Sequence, residues 1–505
     1  MHPPSQPAGP LTECGSGVAL GRSPGAPHPA RPKSWWRTLT LFTLLTFGFP
    51  TPAASVLSLD LLQRELPFAE RAFYDAHVEA VESLDLATAA AIDRSATQFL
   101  DLQAAMPDDH VLQPDVQMNL AIALAAAGDV ESALAFAQGA LETKRASTGP
   151  YDLRLIPFML AEGDVLTQAD QTDAAIMAYQ RAQNVTHRQL GVHTPAQLPA
   201  IERVIAVAAL NDLDHIVDIQ HKMSLRIAQQ SMTPDVIATM QLALADHYNL
   251  RAEETPGGTF VSPDTAYIPL RLRRGQAAVS YYEDAITTLR SLDDPVRLTS
   301  AMHHLAQTWS MLDRPRSAKK AARLYLKEVR ARFGDSSVRT GSALVSVGDI
   351  FLLSRDHRAN EYYAEAWSVL EAAPDLRQEL LGQPKRLKPR EIRSYPMDRR
   401  PVHVGPDDPL IVRMIYTVRP DGRPGAVEIL QANVLAEERR MSRAYLKRML
   451  FRPRVVDGVP VATAEQEHVQ PFWVGAPDAL FPWNQKRLEE KRAREEAAAA
   501  ATATE

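Results

Sequence analysis

Small residues recur at a fixed spacing inside long stretches of helical periodicity, and this recurrence restricts the fold more than any other feature. In "NLAIALAAAGDVESALAFAQGAL", Asn119 to Leu141, apolar residues return every three or four positions on both sides of Gly128-Asp129. That pattern predicts two short helices joined by a turn. Ala121, Ala133 and Ala140 fall where helices must approach closely, and Leu124 supplies bulk. The pattern returns in Gly163 with Leu166, Ala175, Tyr179 and Ala182, and again in Ala245 with Tyr248, Ala278, Tyr282 and Ala285. It appears twice more, in Ala306 with Trp309, Ala318, Ala322 and Tyr325, and in Gly348 with Phe351, Ala364 and Trp367. Ala121 to Gly163 is a step of 42 residues, as is Ala306 to Gly348, and 42 beyond Gly163 lies Ile205 in a degenerate unit. Helix pairs that cannot bury their apolar faces alone must stack, so the chain is expected to be mostly α, an α-solenoid. A less regular pair from about Phe68 to Gln103 would cap it.

The small residue, the bulky one three later, the turn, the alanines and the aromatic resemble the tetratricopeptide repeat. Units longer than its common 34 residues imply longer helices in the same architecture. Stacked pairs line an inner groove with their first helices. Aligning the units places Asp164, Thr167, Glu202, Asp246, Asn249, His303, Gln307, Ser310 and Asp349 on that groove. These side chains are polar and lean acidic, which suits an extended protein or peptide partner of basic or polar character; a solvated face would look similar. The insertion from Ala252 to Gly275 reads as a loop by its Pro and Gly content.

Helical signal fades after "SVLEAAPDLRQ", and residues 379–405 form a Pro-rich, basic stretch expected to be an extended connector. "LIVRMIYTV" then alternates as a half-buried strand, with Val412, Met414, Tyr416 and Val418 opposite Ile411, Arg413, Ile415 and Thr417. "RPDGRPG" is a turn and "AVEILQA" the returning strand. "EERRMSRAYLKRML" predicts a helix with Met441, Ala444, Tyr445, Met449 and Leu446 on its apolar side. "FRPRVVDGVPVAT" holds an Asp-Gly turn, and "EHVQPFWVG" closes as a strand.

This β-β-α-β order resembles the C-terminal domain of TonB, the periplasmic end of the bacterial energy transducer. The resemblance covers roughly residues 395–475 and rests on Asp421-Gly422-Arg423, Phe451-Arg452-Pro453, Asp457-Gly458 and Pro471-Phe472 in that order. It implies a small α+β domain at 406–476 whose partner adds a strand to an exposed sheet edge. The candidate edge is the last strand, Val469, Gln470, Phe472, Trp473 and Val474, where Pro471 removes one backbone donor. Met449 stands where the family often carries a tryptophan, and the transducer's anchor histidine has no counterpart in this chain's apolar run. Motor coupling is therefore doubtful on sequence grounds. Phe451 is expected to anchor the helix end, and Arg452 to pair with an acidic group or bind carbonyls.

At the other end, "RPKSWWR", the apolar run "TLTLFTLLTFGF" and "PTPAAS" have the pattern of an export signal, with cleavage near Ala53 or Ala54. The run is short beside the roughly 20 apolar residues of a membrane span, though an uncleaved anchor is the alternative. Residues 1–54 are read as leader and signal peptide, with the true start falling downstream of Met1 a further reading. Residues 55–378 are the repeats and 477–505 a charged, Ala-rich tail. The one cysteine, Cys14, lies in the leader, so a mature chain would hold no disulfide or thiol nucleophile. A net charge of −6 gives no reason to expect nucleic acid as a partner.

No H-E-x-x-H, Gly-rich phosphate loop or G-x-S-x-G elbow occurs. His303 and His304 are adjacent on a helix and diverge by about 100°, too far to ligate one metal together. They read as one groove residue and one at the core edge. Asp108-Asp109, Asp293-Asp294 and Asp407-Asp408 lie beside Pro or in turns, where caps and loops use them. No catalytic residue, cofactor site or metal site is expected. The expected function is an exported, non-catalytic scaffold in the periplasm that binds protein partners through a groove and a sheet edge. The alternative is an inner-membrane-anchored, TonB-like energy transducer acting on an outer-membrane receptor segment.

Overall fold

The computed structural model describes residues 68–107, 109–255, 270–387, 395–397, 401, 404–405 and 408–474. The leader and export signal, the centre of the 252–275 insertion, part of the connector and the 477–505 tail lie outside these residues.

Two helices open the described chain, α1 (Phe68–Glu82) and α2 (Ala89–Ala105), where the capping pair was expected. Helix pairs follow: α3 (Gln113–Ala127) with α4 (Val130–Thr148), α5 (Ile156–Gln168) with α6 (Thr172–Leu190), and α7 (Leu198–Leu210) with α8 (Asp214–Ser231). Then come α9 (Pro234–Glu254) with α10 (Leu270–Leu289), α11 (Pro295–Met311) with α12 (Pro315–Phe333), and α13 (Val338–Leu353) with α14 (Ala359–Val369). The starts are set locally. Thr88, Asp129, Asp294 and Ser337 accept a hydrogen bond from an amide in the first turn of the helix each begins, and Pro234, Pro295 and Pro315 open theirs.

The 42-residue period is written into the backbone as well. The turn inside a pair takes a positive φ, at Gly128 (92°), Asp170 (55°), Asp212 (59°), Asp313 (54°) and Arg355 (56°). Gly128, Asp170 and Asp212 are successive steps of 42, as are Asp313 and Arg355. Glycine takes this conformation freely and aspartate tolerates it, so one residue reverses the chain in each unit. The unit holding the insertion is the exception. Its helices extend further than the sequence suggested, since Ala252 to Glu254 and Leu270 to Gly275 are helical. Gly275 is a packing residue rather than a loop residue, because an added Cβ there would lie 2.4 Å from Leu312.

Partners within a pair pack tightly, each second helix packs on the next first helix, and first helices of successive pairs also touch (α3 with α5, α9 with α11, α11 with α13). Small residues allow this approach. A Cβ on Gly163 would fall 2.3 Å from the Tyr179 ring, and one on Gly348 would fall 2.5 Å from the Tyr363 ring. Those tyrosines, with Tyr282, are among the fully buried side chains of the array.

A short helix, α15 (Pro374–Leu381), leads into the sheet region: β1 (Lys385–Arg386), β2 (Tyr395–Met397), β3 (Leu410–Val418), β4 (Pro424–Ala432), α16 (Ala436–Leu446), β5 (Phe451–Arg452), β6 (Arg454–Val456), β7 (Val459–Val461) and β8 (Thr463–Val474). The main sheet has the order β2-β8-β3-β4, with β8 antiparallel to β3 and parallel to β2. Leu410, Val412, Met414, Tyr416 and Val418 share a core with Leu446, Met449, Phe451 and Phe472, as the alternation in β3 predicted. The inward face of α16, with Met449 just beyond its end, holds Leu446 and half-covered Tyr445 as expected but differs at two positions. Met441 and Ala444 are exposed, while Ser442, four residues before Leu446, is buried. The Ser442 hydroxyl donates to the Glu438 carbonyl, which makes this small polar residue acceptable inside.

The sheet region does not hang from the array. The β6–β7 hairpin, turned by Asp457 (φ 51°) and Gly458 (φ 77°), lies on α14. Val455 is 1% exposed and sits in the same core as Phe351, Tyr363, Leu370 and Leu381. The connector contributes too, as β1 pairs with β5 and the Leu387 amide donates to Leu450 O at 2.9 Å.

Candidate protein-interaction surfaces

Three units repeat one side-chain arrangement. In each, the residue after the small one is aspartate, and the tyrosine of the second helix donates to it: Tyr179 to Asp164 at 2.8 Å, Tyr282 to Asp246 at 2.5 Å and Tyr363 to Asp349 at 2.9 Å. Burial, then the neighbouring carboxylate, pushes each phenol well above its ordinary pKa, so the tyrosines stay protonated donors.

In two of the three, a basic side chain from the following unit completes the set. Arg203 Nε donates to Asp164 Oδ1 at 3.0 Å, and His304 Nδ1 lies 3.4 Å from Asp246 Oδ1. Arg203 and His304 hold the same position, two residues before Ile205 and Ala306. For Asp349 the partner comes from the sheet region. Arg452 Nε donates to Oδ1 at 2.8 Å, one terminal nitrogen reaches Oδ2, and the other binds the Leu380 carbonyl. Arg452 is buried; the charge and hydrogen bonds of Asp349 outweigh that burial and raise its pKa.

The groove residues read from sequence therefore divide. Asp164, Asp246 and Asp349 stand in one column. Asp164 and Asp349 each already hold an arginine, whereas Asp246 is exposed beside His304 and is left open to a partner. Thr167 bonds back to Gly163 O at 2.8 Å and lies 3.2 Å from the Tyr179 hydroxyl. Asn249 joins neighbouring units, accepting from Thr308 at 2.7 Å and donating to Glu253 at 3.1 Å. Glu202 and Gln307 are exposed and Ser310 is half-buried. His303, assigned to the groove, stacks on Tyr325 of the second helix at 5.1 Å and 13°. Its neighbour His304 is the one that reaches the aspartate column. The repeat alignment did not single out Arg203 or His304, whereas Arg452 both pairs with an acidic group and binds a carbonyl, as expected, with Asp349 the partner the sequence did not name. The first two were accessible from the repeat register, but nothing in the register points to Arg452.

At the sheet edge, β2 already pairs with Phe472, Trp473 and Val474, so this part of the expected docking edge is filled by the chain's own connector. Val469 is 41% exposed, whereas Gln470 and Phe472 are buried. Along Thr463–Pro471 the outer side of β8 has no strand partner among the described residues.

A cleft of about 490 Å³ opens where the α13–α14 turn meets the sheet region, and its lining includes Asp356 and Asp421. Asp356 is paired with Lys319 and Arg358, and Asp421 with Arg419. Among the described residues no group of three or more His, Cys, Asp or Glu could hold a metal, and no helix is long and apolar enough to cross a membrane.

No protein-family model matches this sequence, and no curated protein matches it. Solved structures similar to it are tetratricopeptide-like repeat proteins. The apo form of RapI is 13% identical, with a TM-score of 0.41, covering 62% of this chain and 78% of that one. A repeat protein from Parabacteroides merdae is 12% identical, with a TM-score of 0.31, covering 61% and 97%. A kinesin light chain with tetratricopeptide-like repeats from Podosopora anserina is 12% identical, with a TM-score of 0.33, covering 45% and 99%. These likenesses are distant, and the architecture rests on the helix pairing itself.

Proposed function

We propose that the chain is an exported, non-catalytic scaffold that binds protein partners at two places. One is the face formed by the first helices; the other is the outer edge of β8. The observation that carries this reading is the edge at Thr463–Pro471, whose outer side has no strand partner among the described residues while its inner side is fixed in a sheet. Such an edge takes an added strand readily, and the TonB-like motif order supports that mode. The exposed Glu202 and Gln307 suit the first-helix face to a polar partner segment. Export follows from the N-terminal signal pattern. The second reading, a TonB-like transducer anchored in the inner membrane, draws on the same motifs and needs the N-terminal segment to stay uncleaved.

Photo-crosslinkers at Gln307 and Val469 of the full-length chain, expressed in a bacterial host, test the two surfaces. Covalent adducts to envelope proteins are expected from both positions. Silence at both would sink the scaffold reading. Intact mass of the fractionated protein then separates the two readings: a soluble species starting near Ala54 or Ser55 excludes motor coupling, and an uncleaved inner-membrane species revives it.

A further inference from the structure

We infer that the sheet region acts as the terminal unit of the helical array, locked onto it through Arg452, and is not a tethered module. Asp164 receives Arg203 and Asp246 receives His304, each from the next unit along. After the pair that carries Asp349 no further helix pair follows among the described residues, yet its carboxylate is met by two nitrogens of Arg452. A planar guanidinium matches a carboxylate at two points, and a pair so placed is specific in direction as well as in charge. Arg452 thus occupies the place of the missing unit's basic residue, across 103 residues of sequence.

Packing agrees with the polar contact. Val455 completes the apolar core of the last pair, as the next helix pair would. The β6–β7 hairpin lies on α14, with Gly458 close to Ala364. On the β3–β4 turn, a Cβ on Gly422 would lie 3.2 Å from Leu352 and 2.2 Å from Phe451 O. Gly422 O also accepts from the Phe451 amide at 2.8 Å, so the turn holds the strand that carries Arg452. Repeat arrays need a closing element to cover the last apolar face, and here that element is the sheet. In consequence the β8 edge keeps a fixed position relative to the array, so two bound partners would be held at a set spacing.

The test uses the full chain with Cys14→Ser, Asn360→Cys and Arg440→Cys, spin-labelled at the two introduced cysteines, both at exposed positions. A single narrow inter-label distance distribution is expected, broadening at least two-fold in width with Arg452→Gln. Limited proteolysis between residues 382 and 409 should speed up at least ten-fold in the same variant. If Arg452→Gln fails to fold, Asp349→Asn, which leaves the sheet region's own sequence untouched, is measured in its place with the same expectation. A broad distribution in the unsubstituted pair, or a narrow one unchanged in Arg452→Gln and Asp349→Asn, overturns the inference.

Discussion

Replacing Gly163 by alanine sets two effects of known size against each other. In an open helix, Gly→Ala stabilises by about 1 kcal/mol through backbone entropy. At 163 the new methyl would stand 2.3 Å from Tyr179 Cε1, 2.6 Å from Cδ1 and 2.7 Å from Cζ. The ring cannot swing aside easily, since it is buried and its hydroxyl is held by Asp164 at 2.8 Å and Thr167 at 3.2 Å. Forcing a methyl into such a contact costs about 1–3 kcal/mol, enough to outweigh the propensity gain. Gly163→Ala should therefore destabilise the chain by up to about 2 kcal/mol net. Gly139, in α4, is the matched control, exposed and with nothing within 4 Å of an added Cβ. Gly139→Ala should stabilise by up to about 1 kcal/mol. Urea unfolding followed by far-ultraviolet circular dichroism reads both. Tyr179→Phe removes the anchor, so the double variant with Gly163→Ala should lose less than the two single changes added together. Equal stabilisation at 163 and 139 would refute the close-packing argument, and with it the reason given for small residues at the 42-residue step.

Other perturbations follow from single sites. His221, His247 and His303 are each held near a pKa of about 4, chiefly by burial, with His247 adding to the effect on His221, Arg251 to that on His247 and His304 to that on His303. The unfolded chain binds these protons from about pH 6.5 downward and the folded chain does not, so stability falls as pH drops from 6.5 to 4. The loss is about 1–2 kcal/mol per histidine at pH 5. Urea midpoints at pH 7.5 and 5 should show it, and the paired change His221→Gln with His247→Gln should remove the larger part of it, leaving the share of His303; an unchanged slope would assign it elsewhere. Lys144→Met leaves Asp115 fully buried without the ammonium 2.7 Å away, a loss of about 3–5 kcal/mol, and adding Asp115→Leu should recover most of it in the same urea assay. Gly422→Ala places a methyl 2.2 Å from Phe451 O at a φ of 76°, so the sheet region should lose about 2–3 kcal/mol, visible as faster amide exchange at Phe451.

The array was legible because its information is local and repeated. A small residue, a bulky one and an aromatic at constant offsets fix which faces meet, and Gly128, Asp170 and Asp212 carry the same step into the turns. The alternation in β3 was equally plain, since a period of two assigns the inner face directly. The inner face of α16 was legible in part. Leu446 and, just beyond the helix, Met449 turn inward as the periodicity predicted, but Ser442 is buried where Met441 and Ala444 were expected, because a hydroxyl can satisfy itself on its own helix. His303 and His304 were placed by what their neighbouring helices offered, Tyr325 to one and Asp246 to the other.

The sequence by itself determined that this chain makes stacked helix pairs and then a small sheet, because periodicity and turn chemistry act over a few residues. Only the tertiary structure decided which charges meet. Asp349 and Arg452 lie far apart in the chain, in different kinds of structure, and no local rule links them. Their pairing depends on how the last helix pair leaves its apolar face open and on the hairpin that covers it, and that geometry exists only after both have folded.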